Sequence, residues 1–132
     1  MPRFEPQPTA LTKAFWEATR DRRYLLQWCR SCDAPVYYPR EACPTCLGDQ
    51  LDWRETAGRG EVYTYNVMHK PGSPLMADKV PYVVALVDLE EGARVITNVV
   101  GCEPADVEVG MAVELDWEPL SDGRHLAVFR PR

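Results

Sequence analysis

The chain has no long hydrophobic run. Its longest near-continuous apolar stretch, Val80 to Val87, is interrupted by Pro81 and falls far short of the roughly 20 apolar residues that a bilayer-spanning helix needs. Met1-Pro2-Arg3 is not followed by an apolar segment of the kind that directs secretion, so a cytoplasmic protein is expected, with no membrane association. Only two histidines occur, His69 and His125, and neither lies in a recognisable catalytic motif. A Ser/His/Asp grouping, a glycine-rich phosphate loop and an HExxH helix are all missing, so no self-sufficient active site is expected. Positive charge is scarce in the second half. Residues 1–60 carry nine Lys/Arg against eight Asp/Glu, and residues 61–132 carry six against twelve. Binding to a phosphate backbone depends on Lys and Arg, so this balance argues against a nucleic-acid partner.

The sequence is rich instead in paired cysteines. Cys29-Arg30-Ser31-Cys32 and Cys43-Pro44-Thr45-Cys46 form a C-x₂-C-x₁₀-C-x₂-C array. Each pair forms a tight knuckle whose two sulfurs reach one ion at about 2.3 Å, and two knuckles close a tetrahedron. A reducing compartment disfavours disulfides, and no βαβ pattern surrounds the pairs as a redox motif would require. Four thiolates suit zinc, with iron as the competitor. A site closed by four thiolates has no open position, so the metal is expected to be structural and not to activate water. A hairpin of this size buries too little surface to fold without it. Cys102 has no partner pattern and reads as a core thiol.

With 45% hydrophobic residues the chain can bury a core, and three segments separate. Residues 1–22 form an N-terminal helical segment. Its helix starts at Thr9 as N-cap, carries a stripe of Leu11, Ala14, Phe15 and Ala18, and ends near Arg22. Residues 23–57 form the metal ribbon: Tyr24–Trp28 leads into the first cysteine pair, Val36–Pro39 is a short return strand, and the second pair leads into Leu51–Glu55. Residues 58–132 are β throughout, with strands over Glu61–Met68, Val80–Leu89, Ala93–Val100, Met111–Glu118 and His125–Arg130. Met111, Val113, Leu115 and Trp117 alternate with Ala112, Glu114, Asp116 and Glu118 in the half-buried strand pattern. The fold class is therefore mainly β: a helix, a zinc ribbon and a five-stranded barrel of OB type, to which an SH3-like barrel is the alternative.

Several residues could contact a ligand or partner. Arg20, Arg22, Arg23, Arg30 and Arg40 surround the helix end and the ribbon. They form either a solvated cationic face or a contact for the phosphates of coenzyme A, where bidentate guanidinium geometry is favoured. Arg22, Arg23 and Arg40, with Tyr65 and His69 near the barrel mouth, are the candidate ligand contacts. Tyr63 and Tyr65 could also stack nucleic-acid bases. Trp28 and Trp53 serve either the ribbon core or a partner. Phe15 and Trp16, on and beside the apolar stripe, are the candidate partner anchors.

The order of these features resembles one known family. The helix with Phe15-Trp16, Leu25 to Cys32, Tyr38 to Cys46, Leu51-Asp52-Trp53, Gly58 to Tyr65, Gly110 to Val113 and Phe129-Arg130-Pro131 are similar to domains of unknown function that join a rubredoxin-like zinc ribbon to an acyl-CoA-associated OB-fold. The likeness covers residues from about 9 to 131. It implies an accessory role. Such proteins accompany thiolase-fold enzymes, as separate subunits or fused to hotdog-fold hydratases, in archaeal acyl-CoA condensation and in bacterial sterol side-chain degradation. The resemblance implies that catalytic residues belong to the thiolase-like aldolase or thiolase. The small chain would stabilise that enzyme and help form the route for its CoA thioester. Only Cys29, Cys32, Cys43 and Cys46 carry over as site residues. A free-standing acyl-CoA-binding protein and a single-stranded nucleic-acid module are the alternatives.

Overall fold

A computed structural model describes residues 5–132; the Met1-Pro2-Arg3 start lies outside the described residues. One helix, α1 (Lys13–Thr19), precedes a three-stranded ribbon sheet of β1 (Leu25–Cys29), β2 (Ala34–Val36) and β3 (Leu51–Glu55), in the order β2-β1-β3. A closed barrel follows, built from β4 (Arg59–Met68), β5 (Tyr82–Leu89), β6 (Arg94–Val99), β7 (Ala112–Pro119) and β8 (His125–Pro131). Its order is β4-β5-β6-β8-β7, closed by β7 on β4, with a single parallel contact between Val99 and Phe129. This Greek-key closure is that of an OB-fold and decides against the SH3-like alternative. No helix among the described residues is long and apolar enough to cross a membrane.

Local hydrogen bonds set limits for the helix that periodicity did not locate. Thr9 and Thr12 cap each other: the Thr12 amide donates to Thr9 Oγ1 at 3.2 Å and the Thr9 amide to Thr12 Oγ1 at 3.0 Å. This is capping-box geometry with threonine in the second position, and regular α-helix begins only after it, at Lys13. At the other end the Arg22 amide donates to the Thr19 carbonyl at 3.0 Å and the Arg23 amide to that of Ala18 at 3.1 Å. Arg22 itself is left-handed, with φ 56°. That is a Schellman ending with arginine where glycine is usual. The buried face also differs from the stripe, because Thr12, Ala18 and Thr19 are buried while Ala14 is exposed. Thr19 is taken inward because its hydroxyl donates to the Trp16 carbonyl (2.6 Å) and accepts from the His125 amide (3.2 Å).

The barrel strands lie within two residues of their expected limits, since alternation is strict where one face is buried. Val83, Ala85, Val87 and Leu89 of β5 point inward and are buried. Gly58 and Gly60 admit β4 to the sheet. Gly58 has φ +72° and lies against Leu115, and a Cβ on Gly60 would fall on the Asp88 carbonyl. Beyond them the register shifts between Val62 and Thr64, leaving Tyr63 as a bulged residue under the Arg94 guanidinium, 3.4 Å from the ring centre. Arg94 also grips both oxygens of Asp88, at 2.6 and 3.2 Å. These hydrogen bonds hold the Asp88 carboxyl below its ordinary value of 3.8. A carboxyl lowered on folding stabilises the protein above its unfolded pKa, and that stability is lost as pH falls through the folded one. Asp88→Asn is therefore expected to flatten the fall in unfolding midpoint below about pH 4, as read by thermal melts across pH 2–6.

The ribbon is rooted in the barrel core. Tyr24 and Leu26 belong to the same buried cluster as Val62, Val87, Val95, Val113 and Phe129. Tyr24 meets Phe15, Trp117 and Phe129 edge-on, with centroids 5.7, 6.4 and 6.3 Å away. The far end of the ribbon has its own small cluster of Cys29, Val36 and Cys43, with Cys32 and Leu51 against it.

Candidate functional site

The four paired cysteines converge at the ribbon tip. Cys29 ends β1, and the turn after it brings Cys32 back beneath it, the Cys32 amide donating to Cys29 Sγ at 3.4 Å. Asp33 follows with φ 52°, and that left-handed step reverses the chain so tightly that Cys29 already pairs with Ala34. This is why the return strand is Ala34–Val36 and not the expected Val36–Pro39. The second knuckle repeats the device. The Leu47 amide donates to the Cys43 carbonyl at 2.8 Å, and Leu47 has φ 62°. Between the knuckles, buried Gln27 holds the loop. Its amide nitrogen donates to the Arg40 carbonyl and its oxygen accepts from the Arg40 amide, both at 2.8 Å.

All four sulfurs lie within 4.8 Å of one another, with Cys29–Cys46 at 3.7 Å and Cys32–Cys43 at 3.9 Å. Tetrahedral bonds of about 2.3 Å place ligand sulfurs about 3.8 Å apart, so the spacing fits an enclosed ion. It is far too long for a disulfide, which needs about 2.05 Å, and all five cysteines are free. The electrostatics agree. The amides of Cys46 and Thr45 hydrogen-bond Cys43 Sγ and lower its pKa to about 6. Cys32, hydrogen-bonded chiefly to Cys46 and shielded from water, is pushed up to about 12. Neighbouring sulfurs resist shared ionisation, and a divalent cation among them removes that resistance. Cys102 is half-buried in another part of the chain, and burial together with Asp106 and Glu103 raises its pKa.

Leu47 is 79% exposed, so its side chain adds little packing while its left-handed backbone is strained. That conformation costs a non-glycine residue about 1–2 kcal/mol, of which glycine's greater freedom when unfolded offsets part. Leu47→Gly is expected to stabilise the chain by about 0.5–1 kcal/mol, measured by denaturant unfolding with metal bound.

The candidate ligand residues do not come together. Arg22 is the helix-ending residue described above, and Arg23 pairs with Glu55 at 2.9 Å beside the root of the ribbon. Arg40 lies exposed on the loop between the knuckles. Tyr65 lies in the second half of β4 and His69 follows its last residue, with about 20 Å of strand between Tyr65 and Arg59, where the strand begins. Among the described residues no hydrogen bond, ion pair or ring contact joins any two of these five. His125 is also apart, its Nδ1 2.8 Å from the Thr19 carbonyl at the end of α1.

Phe15 and Trp16 do share a site. They wall a cleft of about 190 Å³ between the helix, the ribbon and the barrel. Trp16 meets Phe15 edge-on at 5.0 Å and lies 5.3 Å from the guanidinium of Arg124. Arg124 is only 4% exposed. It donates to Asp122 Oδ2 at 2.7 Å and to the Pro6 carbonyl at 2.9 Å, tying the β7–β8 turn to the chain ahead of the helix. No pattern along the chain marks this buried arginine, because position 124 follows a turn where charge is ordinarily solvated.

Comparison with known proteins matches most of this arrangement. Residues 16–52 match a family model described as the ChsH2 rubredoxin-like zinc ribbon domain, and residues 53–118 one described as the ChsH2 C-terminal OB-fold domain. A probable enoyl-CoA hydratase alpha subunit of Thermomonospora curvata is 46% identical over 119 residues, covering 89% of this chain and 37% of that protein. The chain thus spans little more than a third of that curated relative. A DUF35 domain-containing scaffold protein of Methanocaldococcus jannaschii is 41% identical over 81% of this chain and 77% of its own length. Among solved structures, a chain of the Ltp2-ChsH2(DUF35) aldolase superposes with a TM-score of 0.85 at 42% identity, covering 96% of this chain and 98% of the other.

Proposed function

Because the chain belongs to the ChsH2/DUF35 family, which joins a rubredoxin-like zinc ribbon to an OB-fold, we propose that it is a non-catalytic subunit that binds and stabilises a thiolase-fold acyl-CoA enzyme. The enzyme would be an aldolase or thiolase, acting in the cytoplasm on acyl-CoA thioesters such as those of steroid side chains. The carrying observation is end-to-end likeness to the DUF35 part of an aldolase assembly, over 96% of this chain and 98% of that one. Metal, partner and substrate route then have separate places. Cys29, Cys32, Cys43 and Cys46 hold one zinc ion that closes the ribbon. Phe15 and Trp16 belong to the face that meets the enzyme. Arg22, Arg23, Arg40, Tyr65 and His69 line the approach of the CoA thioester only once the enzyme completes it, consistent with their scatter on the isolated chain. The hydratase name of the Thermomonospora relative fits a hotdog-fold hydratase as a further partner.

Co-expression with a thiolase-fold protein of the same genome tests the proposal. A stable hetero-oligomer is expected, with carbon–carbon bond cleavage of an acyl-CoA that neither protein performs alone. Comparable turnover by the isolated chain, or failure to form the complex, would defeat it.

A further inference from the structure

The cleft beside Phe15 and Trp16 asks for an occupant. Its lining includes Tyr37, Tyr38, Ile96 and Leu126, and none of the described lining residues is charged; Arg124, which contacts Trp16 and Pro6, is buried outside that lining. That neutrality is unusual in a chain with 27% charged residues and a net charge of −5, and it offers nothing to the phosphates of CoA. Its polar side chains are largely satisfied from within. Gln27 is bound both ways to the backbone of Arg40, the Thr12 hydroxyl is bound to Thr9, and the Tyr37 hydroxyl accepts from the Ile96 amide at 3.3 Å. What remains for an incoming group is apolar and aromatic surface.

Two features of its form narrow the occupant. At about 190 Å³ the cleft lies below the roughly 300–1,000 Å³ of small-molecule sites, but it suits one or two large apolar side chains. Its lip is also distinctive, because Tyr38 and Ile96 stand 59% and 58% exposed. Ile96 points outward opposite Leu86 of β5, itself half-buried on the same outer face, so apolar surface continues from the cleft onto the sheet. A pocket that accepts an anchor, ringed by apolar surface that excludes water, is the pattern of an interface hot spot. We infer that this cleft is the seat of an apolar anchor side chain presented by the thiolase-fold partner, with Tyr38 and Ile96 as its rim. The inference rests on the functional proposal above and locates the contact of which Phe15 and Trp16 form one wall.

The test compares full-length chains carrying Ile96→Asp, Tyr38→Asp or, as a matched control, Val109→Asp, whose side chain is 67% exposed and lies outside the cleft lining. Each is titrated calorimetrically against the thiolase-fold protein with which the wild-type chain assembles. Zinc content and unfolding midpoint are measured on the same samples to verify the fold. The expected result is a dissociation constant raised about thirtyfold or more by each rim variant and within about threefold of wild type for Val109→Asp. If wild type assembles and both correctly folded rim variants bind as tightly, the seat is wrong while the proposed function stands. The seat is equally wrong if the rim variants split a homodimer of the isolated chain and leave the hetero-complex intact, since the occupant would then be a second copy. If wild type itself does not assemble, the proposed function falls and the seat falls with it.

Discussion

Replacing Cys43 with serine is expected to abolish stoichiometric zinc binding and unfold the ribbon while most of the barrel stays folded. The reason lies in what the ribbon tip has for a core. Apart from Val36 and Leu51, the cluster there consists of Cys29, Cys32 and Cys43, so the apolar interior and the metal ligands are largely the same atoms. Strands of five, three and five residues cannot replace that with hydrogen bonding, since a small isolated sheet is marginal in water. Structural zinc contributes roughly 10–16 kcal/mol of binding energy in small ribbons and fingers, as much as the whole stability of a typical domain. Cys43 is the sharpest choice among the ligands because it is buried, and the amides of Cys46 and Thr45 converge on its sulfur. Elemental analysis should return close to one zinc per wild-type chain, and little for Cys43→Ser. Amide exchange should lose protection across residues 27–55. Cys102→Ser, outside the cluster, should keep both. A Cys43→Ser protein that holds zinc one to one, with its ribbon protected, would show that the four sulfurs do not close a single site.

The cysteine array is legible because its spacing is a geometric statement, and the barrel strands because burial on one face enforces alternation. What the sequence conceals is decided by single hydrogen bonds or by contacts between segments. Helix α1 loses its first turn to reciprocal threonine capping, and its end is fixed by Arg22 in a conformation that composition does not announce. The return strand moves toward the knuckle because Asp33 turns left-handed immediately after Cys32. Gln27 resembles an ordinary polar strand residue, yet it is buried and fixes the loop between the knuckles. The cleft is beyond any local pattern. Its walls come from the helix, the ribbon and the barrel, so Trp16, Tyr38, Ile96 and Leu126 carry no shared signature along the chain.

Tyr24 is where these segments are joined, and Tyr24→Ala is expected to cost about 3–5 kcal/mol, as for other large aromatic truncations in cores. Tyr24 is 6% exposed, and its ring lies between Phe15 of the helix and Trp117 and Phe129 of the barrel. Its carbonyl accepts from the Thr56 amide at 2.9 Å, where the chain leaves the ribbon for the barrel. Removing the ring opens a void shared by all three segments, and the surrounding strands, locked in a closed barrel, cannot collapse to fill it. Tyr24→Phe should behave differently. Burial, with a smaller contribution from Tyr37, raises the phenol pKa above its ordinary 10.0, so the hydroxyl stays neutral and supplies no charge that the fold could depend on. The phenylalanine variant is expected within about 1.5 kcal/mol of wild type, as for shape-conserving core changes. Denaturant unfolding of the zinc-bound proteins separates the two. Amide exchange on the alanine variant should further show the ribbon and α1 opening well before the barrel, because the ring that joins them is gone. If alanine and phenylalanine variants prove equally stable, Tyr24 is not the joint. The relative placement of ribbon and barrel, on which the cleft between them depends, would then be held by other contacts, among them Leu26 and Tyr37 against the barrel core and the Ile96 amide donating to the Tyr37 hydroxyl.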